Sequence, residues 1–534
     1  MNKITYDRFL DKVHGCWYGK CLGGAAGAPV EGIKNIIDVG DFTEIFNPDL
    51  PNDDLDLQLL WLDVIERKGA EITSCDLADA WIEKCWYPFS EYGYFMKNYM
   101  HGIKPPYSGI INNPFFMEGM GCPIRSEIWG IINAGNPKQA AEYAYIDACL
   151  DHAGNAVYAE QFLAAVESLA FFESDIRTLI NRGMGYIPKN CRLAECFGVV
   201  IREFESGADW ESARRAVLNR FGHPDFTNSV QNMGIILIAF LYGGGDMRKT
   251  INIALRCGYD TDCTCASAAS VVGIISGYNA LGELKSLIND YFICGIDVKR
   301  PSDSIKRLAE DCCTVAMNTP NSLLCVTDRE NRSGSVSLKC EYPTKEGIEV
   351  AKRSVEPIRW KIYGPYYDQL HKEMNPEYPS PHGEGSVLPD IVCMVNNEAF
   401  LDRDYPKGDL ACTVEAYEDM IELDNYITMQ GQYACLAETT VYSDREQTVW
   451  AVIGNNDAFS MSVNGETVLA ADEMRLWTPY NNFCLIRLNA GENRIALKLL
   501  KRGEVFRFSI GFRCYTGEHW HRSKWCTDLK YSKQ

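Results

Sequence analysis

Arg256-Cys-Gly-Tyr-Asp-Thr-Asp-Cys-Thr-Cys265 sets two carboxylates, Asp260 and Asp262, after a glycine and directly ahead of a small-residue run, Ala266 to Gly277, that reads as a helix. On a regular helix the two side chains would point in roughly opposite directions, because each residue turns about 100°. They converge on one ion only where the chain is entering the helix, before its ladder of hydrogen bonds begins. Carboxylate and hydroxyl oxygens grouped in this way suit a hard divalent cation such as Mg²⁺. The competing reading is a helix N-cap, in which an Asp accepts orphan backbone N–H groups and favours the helix dipole. A second acidic group, Pro51-Asn52-Asp53-Asp54-Leu55-Asp56, precedes the apolar run Leu57 to Leu62 and again stands where a helix begins. Carboxylates gathered from both groups without a cation would repel one another or bind protons. If the two groups face each other across a cleft, a metal is the economical answer.

Four blocks follow one another along the chain: Gly15-Cys-Trp-Tyr-Gly-Lys-Cys-Leu-Gly-Gly-Ala-Ala-Gly-Ala-Pro-Val-Glu31, Asn52-Asp53-Asp54, Asp151-His152-Ala-Gly-Asn-Ala156 and Gly258-Tyr-Asp-Thr-Asp-Cys263. In this order they resemble the motifs of the ADP-ribosylglycohydrolase family, of the dinitrogenase reductase-activating glycohydrolase and J1 crystallin type. The first is similar to the family's glycine-rich opening helix, the second to its Thr-Asp-Asp, the third to a Ser/Thr-His segment and the fourth to its Gly-Gly-Asp-Thr-Asp-Thr. The match spans about residues 10 to 285, and Gly121-Cys-Pro-Ile-Arg125 and Asn228 to Asp246 match more weakly.

The resemblance implies an all-α, orthogonally packed catalytic domain with one or two Mg²⁺ ions in a central cleft. It puts Asn52, Asp53, Asp54, Asp260, Asp262 and Cys263 at the metal-ligand positions and Glu31 at the cleft edge, as an acidic ligand or an acid/base residue. Three departures stand out. Asn52 and Cys263 replace threonines, and a thiol is a poor partner for Mg²⁺. Gly24 replaces an aspartate. They mark a divergent branch, whose substrate need not be the usual one. His152, at a family position, either contacts a phosphate or sugar hydroxyl or is a satisfied core histidine. Arg125 either holds a phosphate as a bidentate donor or makes a structural ion pair. Tyr107, in Pro105-Pro-Tyr-Ser-Gly109, is a candidate for stacking on a base or sugar.

The chemistry follows from these residue types. Breaking an anomeric C–N or C–O bond passes through an oxocarbenium-like state, for which carboxylates supply acid, base and charge stabilisation. A metal pair orients sugar hydroxyls and the attacking water. The expected catalytic set is Glu31, Asp54 and Asp260. The expected substrate is a glycosyl group on a small molecule or protein: ADP-ribosyl first, a non-nucleotide sugar as the alternative. A third reading is a non-catalytic, crystallin-like protein.

Length and charge agree with this assignment. A chain of 534 residues exceeds one ordinary core. The net charge of −20 argues against a nucleic-acid partner, which requires a basic face. Met1 to Leu10 lacks an apolar core segment, so no signal peptide is expected, and no apolar run is long enough for a bilayer. The 22 cysteines are scattered, with no C-x-x-C pair. They read as reduced, buried thiols of a cytoplasmic, bacterial protein rather than as a disulfide scaffold or zinc site.

The texture changes near residue 320. Before it lie helical runs: Asn155 to Phe172, Trp210 to Phe221, Ser229 to Leu241, Cys263 to Gly277 and Ser304 to Met317. After it come alternating strands: Ser335 to Cys340, Ala411 to Glu415, Thr448 to Ile453, Phe459 to Val463 and Arg494 to Leu499, with turns such as Asn464-Gly465. The expected organisation is a catalytic domain over 1–320 and a jelly-roll-like β-sandwich over 321–534. Ile453 to Glu466, Leu488 to Lys498 and Trp360 to Pro365 are similar to galactose-binding-like sandwiches appended to glycoside hydrolases. Asn455, Asn456 and Asp457 are candidates for sugar binding or a tight hairpin, and Trp477 and Tyr480 for stacking on a sugar or for core. Tyr366 to Asp390 reads as a long loop.

Overall fold

The computed structural model describes residues 2–48, 53–366, 408–417, 420–428, 433–503 and 505–532. Asn52, and all but Tyr366 of the expected loop, lie outside them. The chain divides into two compact units. One runs through Glu349 and is helical; the other comprises Val350 onward, with Met100–Gly102, and is mainly β-structure.

The helices begin and end where local chemistry permits. Asp209 accepts the Ser212 N–H at 2.8 Å to open Trp210–Phe221, and Asn228 accepts the Val230 N–H at 3.2 Å to open Ser229–Gly243. The latter ends at Gly244, whose φ of +63° is a left-handed cap. Asn155–Ala170, Thr261–Ser276 and Ile305–Asn318 are the other anticipated helices. Burial is nearly complete along Ser229–Gly243 and Thr261–Ser276, whose residues are mostly apolar or small and which lie inside the unit.

Contacts carry the helical unit past the expected boundary at 320. Asn2–Ile4 pairs in parallel with Leu324–Val326. The Tyr145 hydroxyl donates to the Glu341 carbonyl at 2.5 Å. Ser335 to Cys340, expected as a strand, is irregular here: Val336 is buried and gives its N–H to Gln139 Oε1 at 3.2 Å. Its alternation reflects packing on helices rather than pairing in a sheet. A further helix, Lys345–Arg353, follows.

In the second unit, one sheet orders Leu410–Ala416, Ile358–Tyr363, Tyr433–Ser443, Gly491–Lys501, Phe459–Val463 and Glu466–Ala471, and Leu529–Lys530 pairs with Tyr433–Ser443. The other orders Asn482–Leu488, Gln447–Asn455, Arg507–Cys514 and Ile421–Glu422. All their pairings are antiparallel. Alternate residues Ile358, Trp360 and Ile362 of one sheet share a core with Val449, Ala451 and Ile453 of the other. Trp360 and Phe508 meet edge to face across it at 5.3 Å. Asn464 and Gly465, with φ of +53° and +90°, make the expected tight turn. Asn455, Asn456 and Asp457 are buried, with Asn456 Nδ2 donating to the Val505 carbonyl at 2.6 Å and Asp457 accepting from Arg502 Nε at 2.6 Å. They fasten loops internally and offer no sugar-binding surface. Trp477 and Tyr480 are half-buried, the latter stacked on Trp520.

No described helix is long and apolar enough to cross a membrane. All cysteines among the described residues are free.

Candidate functional site

Gly15, Gly19, Gly23 and Gly27 recur every fourth residue, on one face of the opening helix Tyr6–Gly27. A Cβ on each would come within 2.4, 2.4, 2.4 and 2.1 Å of the carbonyl oxygens of Gly273, Ala269, Cys265 and Thr261. One series ascends as the other descends, so the opening helix and Thr261–Ser276 run antiparallel, backbone against backbone, an approach only glycine permits. This packing brings the end of the first helix to the start of the second. There Thr261 Oγ1 donates to the Gly27 carbonyl at 2.7 Å. Gly32 N–H donates to Tyr259 O, and Tyr259 N–H to Ile33 O, both at 2.8 Å. Gly258, at φ +71°, turns the chain into this contact where a Cβ would meet the Asn35 carbonyl at 2.4 Å. Glu31 thereby stands beside Asp260 and Asp262.

The acidic helix Asp53–Lys68 supplies the opposite wall. Asp54 is buried, with Lys20 Nζ 3.3 Å from its Oδ2 and Cys263 Sγ donating to its Oδ1 at 3.3 Å. Lys20, fully buried, also meets Glu127 Oε1 at 2.9 Å and donates to the Ile124 carbonyl at 2.8 Å. Glu127 in turn accepts from Gln58 Nε2 at 2.8 Å and Ser270 Oγ at 3.0 Å. Asp56 turns away to accept from Tyr87 Oη and, at 2.9 Å, from the Gly295 N–H. Its role is to hold a loop.

Two sets of side chains each bring their donor atoms within 4.8 Å of one another: Glu31, Asp260 and Asp262 form one set, and Asp54, Asp262 and Cys263 the other. Asp260 occupies the N-cap position of Thr261–Ser276 without a side-chain capping bond. One oxygen of Asp260 and one of Asp262 are buried without a hydrogen-bond partner. The capping alternative therefore fails, and the orphaned oxygens have the chemistry of cation ligands. Electrostatics agree. Burial, then Asp53 and Asp54, push the Glu31 carboxyl up to about 7, and burial, then Asp54 and Glu31, push Asp262 to about 7. Burial and Asp262 raise Asp260 well above the usual carboxylate range. Desolvation, Asp54 and Asp262 do the same to Asp53. Glu31 and Asp53 nonetheless keep part of their surface open to solvent at the mouth of the cleft.

Glu31, Asp53, Asp260, Asp262 and Cys263 line a cleft walled also by Tyr87, Phe89, Glu91, Tyr92 and Phe226. Asp53 lines it without joining either donor set among the described residues.

Other anticipated residues stand elsewhere. Arg125 is fully buried and bidentate to Asp151, at 2.9 Å for each bond, with Asp147 also at 2.9 Å. Of its two readings, the structural ion pair holds and the phosphate donor does not. His152 is buried with Nδ1 2.8 Å from Asp151 Oδ1 and Nε2 3.7 Å from Glu91 Oε1. It backs the cleft wall without lining it. Burial works against ionisation of Asp151, but Arg125 and His152 prevail and hold its carboxyl at about 2. Tyr107 does not line the cleft; its hydroxyl sits where a Cβ on Gly347 would lie, 1.9 Å away.

Sequence reasoning missed Lys20 and Glu91. A lysine inside a Gly/Ala helix face was a readable sign of a buried charge. Glu91 carried none: burial pushes its carboxyl up to about 7 against the pull of His152, and it lines the cleft.

Among solved structures the chain is similar to an ADP-ribosylglycohydrolase-related protein complex, with 19% identity, 58% of this chain and 98% of that chain covered, and a TM-score of 0.38. It is also similar to the Epithelial Adhesin 9 A domain from Candida glabrata in complex with Galb1-4GlcNAc, with 12% identity, coverage of 33% and 90%, and a TM-score of 0.20. A β-glucosidase from Kluyveromyces marxianus has 8% identity, coverage of 48% and 34%, and a TM-score of 0.20. At these scores the likenesses carry no argument about this chain. No curated protein matches it. The family model for ADP-ribosylglycohydrolase matches residues 5–321, more than half of the chain and the whole of the carboxylate cleft. The chain thus belongs to the ADP-ribosylglycohydrolase family, hydrolases of glycosyl bonds.

Proposed function

We propose that the helical unit is a metal-dependent glycohydrolase that cleaves the N- or O-glycosidic bond of an ADP-ribosyl group. The observation that carries this is the convergence of Glu31, Asp260 and Asp262 on one cleft, with Asp54 behind them sharing a donor set with Asp262, and with buried oxygens of Asp260 and Asp262 left without hydrogen-bond partners. Mg²⁺ fits the all-oxygen set of Glu31, Asp260 and Asp262. When bound, it would neutralise these carboxylates and act as a Lewis acid toward sugar hydroxyls. Buried Asp260 and Asp262 would hold the cation. Glu31, exposed at the rim, has the access to solvent and substrate needed to trade a proton at its carboxyl with the leaving group or the attacking water.

One observation favours a second reading, a sugar without a diphosphate: the cleft's lining among the described residues includes no Lys, Arg or His. A diphosphate arriving there would meet carboxylates and rely on the cation alone. The aromatic wall of Tyr87, Phe89, Tyr92 and Phe226 would serve either ligand.

The deciding experiment is hydrolysis of ADP-ribosyl-arginine, O-acetyl-ADP-ribose and a panel of aryl furanosides and pyranosides, with Mg²⁺ or chelator, alongside the Asp260→Asn/Asp262→Asn double variant. Release of ADP-ribose that both chelator and the variant abolish supports the first reading. Cleavage of aryl glycosides alone supports the second. Turnover indifferent to chelator and to the variant sinks the metal mechanism.

A further inference from the structure

The two donor sets of the cleft are chemically unlike. Glu31, Asp260 and Asp262 offer carboxylate oxygens, whereas Asp54, Asp262 and Cys263 offer two carboxylates and a sulfur. The second set does not fit Mg²⁺, which is small and hard, dehydrates reluctantly and prefers oxygen. Yet its donors are ordered for an ion. Cys263 is 8% exposed, lines the cleft and has its Sγ 3.3 Å from Asp54 Oδ1. Lys20 engages the other oxygen, Oδ2, at 3.3 Å, so Asp54 presents Oδ1 to the sulfur side. Asp262 contributes a buried oxygen with no hydrogen-bond partner. Cys265, two residues on, is different: its Sγ faces the Ile251 carbonyl at 3.7 Å and belongs to neither donor set.

We propose that Asp54, Asp262 and Cys263 form a second cation position that selects a thiophilic divalent ion of the Zn²⁺ or Co²⁺ kind, beside an oxygen-only position that takes Mg²⁺. This rests on reading the cleft as a metal centre. On binding, the S–H bond of Cys263 would break as the sulfur–metal bond forms, and the proton would leave to solvent without any change of oxidation state. Three protein donors of mixed oxygen and sulfur are the number found in zinc sites that keep one position open to a ligand. First-row ions such as Co²⁺ and Zn²⁺ bind sulfur-bearing sites well, and thiolates select them over magnesium.

The test uses the full chain, stripped by chelator and titrated with Co²⁺. Near-ultraviolet absorption reads the sulfur-to-cobalt charge-transfer band, and equilibrium dialysis counts bound ions. The expected result is a band in the wild-type chain and in Cys265→Ser that is lost in Cys263→Ser. Dialysis is expected to find two Co²⁺ but one Mg²⁺ per wild-type chain, and one Co²⁺ in Cys263→Ser. In Cys263→Thr a second Mg²⁺ should replace the charge-transfer band, which keeps the result readable should the serine variant misfold. A band of equal intensity in Cys263→Ser, or two Mg²⁺ bound by the wild-type chain, overturns the proposal. No bound ion of any kind overturns both it and the metal reading. Because none of these readouts depends on turnover, a wrong substrate assignment leaves the proposal standing.

Discussion

The carboxylates of the cleft differ in what surrounds them, and that difference governs what each substitution does. Glu31 is exposed while Asp260 and Asp262 are buried. Glu31→Gln is expected to lower kcat about 10²–10⁴-fold, the range for loss of a general acid or base, while the chain still binds Mg²⁺ measurably by dialysis. Unchanged kcat would remove Glu31 from the proton-transfer role. Lys20 is fully buried between Asp54 and Glu127. Lys20→Met leaves both carboxylates without their cation and is expected to cost about 3–5 kcal/mol in denaturant unfolding. A loss below about 1 kcal/mol would mean the carboxyls are protonated in the wild-type chain and need no counter-ion. The pH dependence has a definite sign. Folding raises Glu31 from 4.5 to about 7 and Asp262 from 3.8 to about 7. Across that window the folded chain holds protons that the unfolded chain has released. Stability of the metal-free protein therefore falls as pH rises from about 4 to about 7. A cation displaces those protons, so thermal melts should show Mg²⁺ stabilising more at about pH 8 than at about pH 5. Equal stabilisation at both would place the bound ion away from these carboxyls.

At the scale of elements, the pairing of the opening helix with Thr261–Ser276 decides whether a site exists at all. Glycines at every fourth position remove the side chains that would hold the helices apart. Gly23→Ala places a Cβ 2.4 Å from the Cys265 carbonyl oxygen, and neither backbone can yield alone. The expected loss is about 1–3 kcal/mol or more in denaturant unfolding, with weaker Mg²⁺ binding because Glu31 and Asp262 ride on the ends of this pair. Gly185→Ala, where no atom lies within 4 Å of the added carbon, is the matched control and should change neither. Equal effects from the two would mean the close helix approach is not what holds the site. The same glycines explain how a loop residue, Glu31, and a helix start, Asp260, come to share a cleft though far apart in the chain.

For the molecule as a whole, each of the two units has its own hydrophobic interior, one among helices and one between sheets. Divalent cation is expected to raise the unfolding transition of the helical unit in calorimetry of the full chain. A shift confined to the β unit would put the binding donors outside the carboxylate cleft. Much was legible beforehand, because it is written in local chemistry. The helical and alternating textures, the Asn464-Gly465 turn and the ordered acidic and glycine blocks depend on period and residue type, which a chain displays without folding. The strand expected at Ser335 to Cys340 failed because alternation records a buried face without naming the partner, and here the partner is a helix side chain, Gln139. The sequence by itself determined the class of each half and the family, and it named Glu31, Asp54, Asp260 and Asp262 as candidates without saying which of them share a donor set. Only the tertiary structure decided that Arg125 is consumed in an ion pair, that Asp56 serves a loop, that Lys20 and Glu91 join the neighbourhood of the cleft, and that Cys263 lies against Asp54. Those outcomes depend on distances between residues remote in the chain, and a charge's role is set by which opposite charge or orphaned oxygen folding brings within a few ångströms of it.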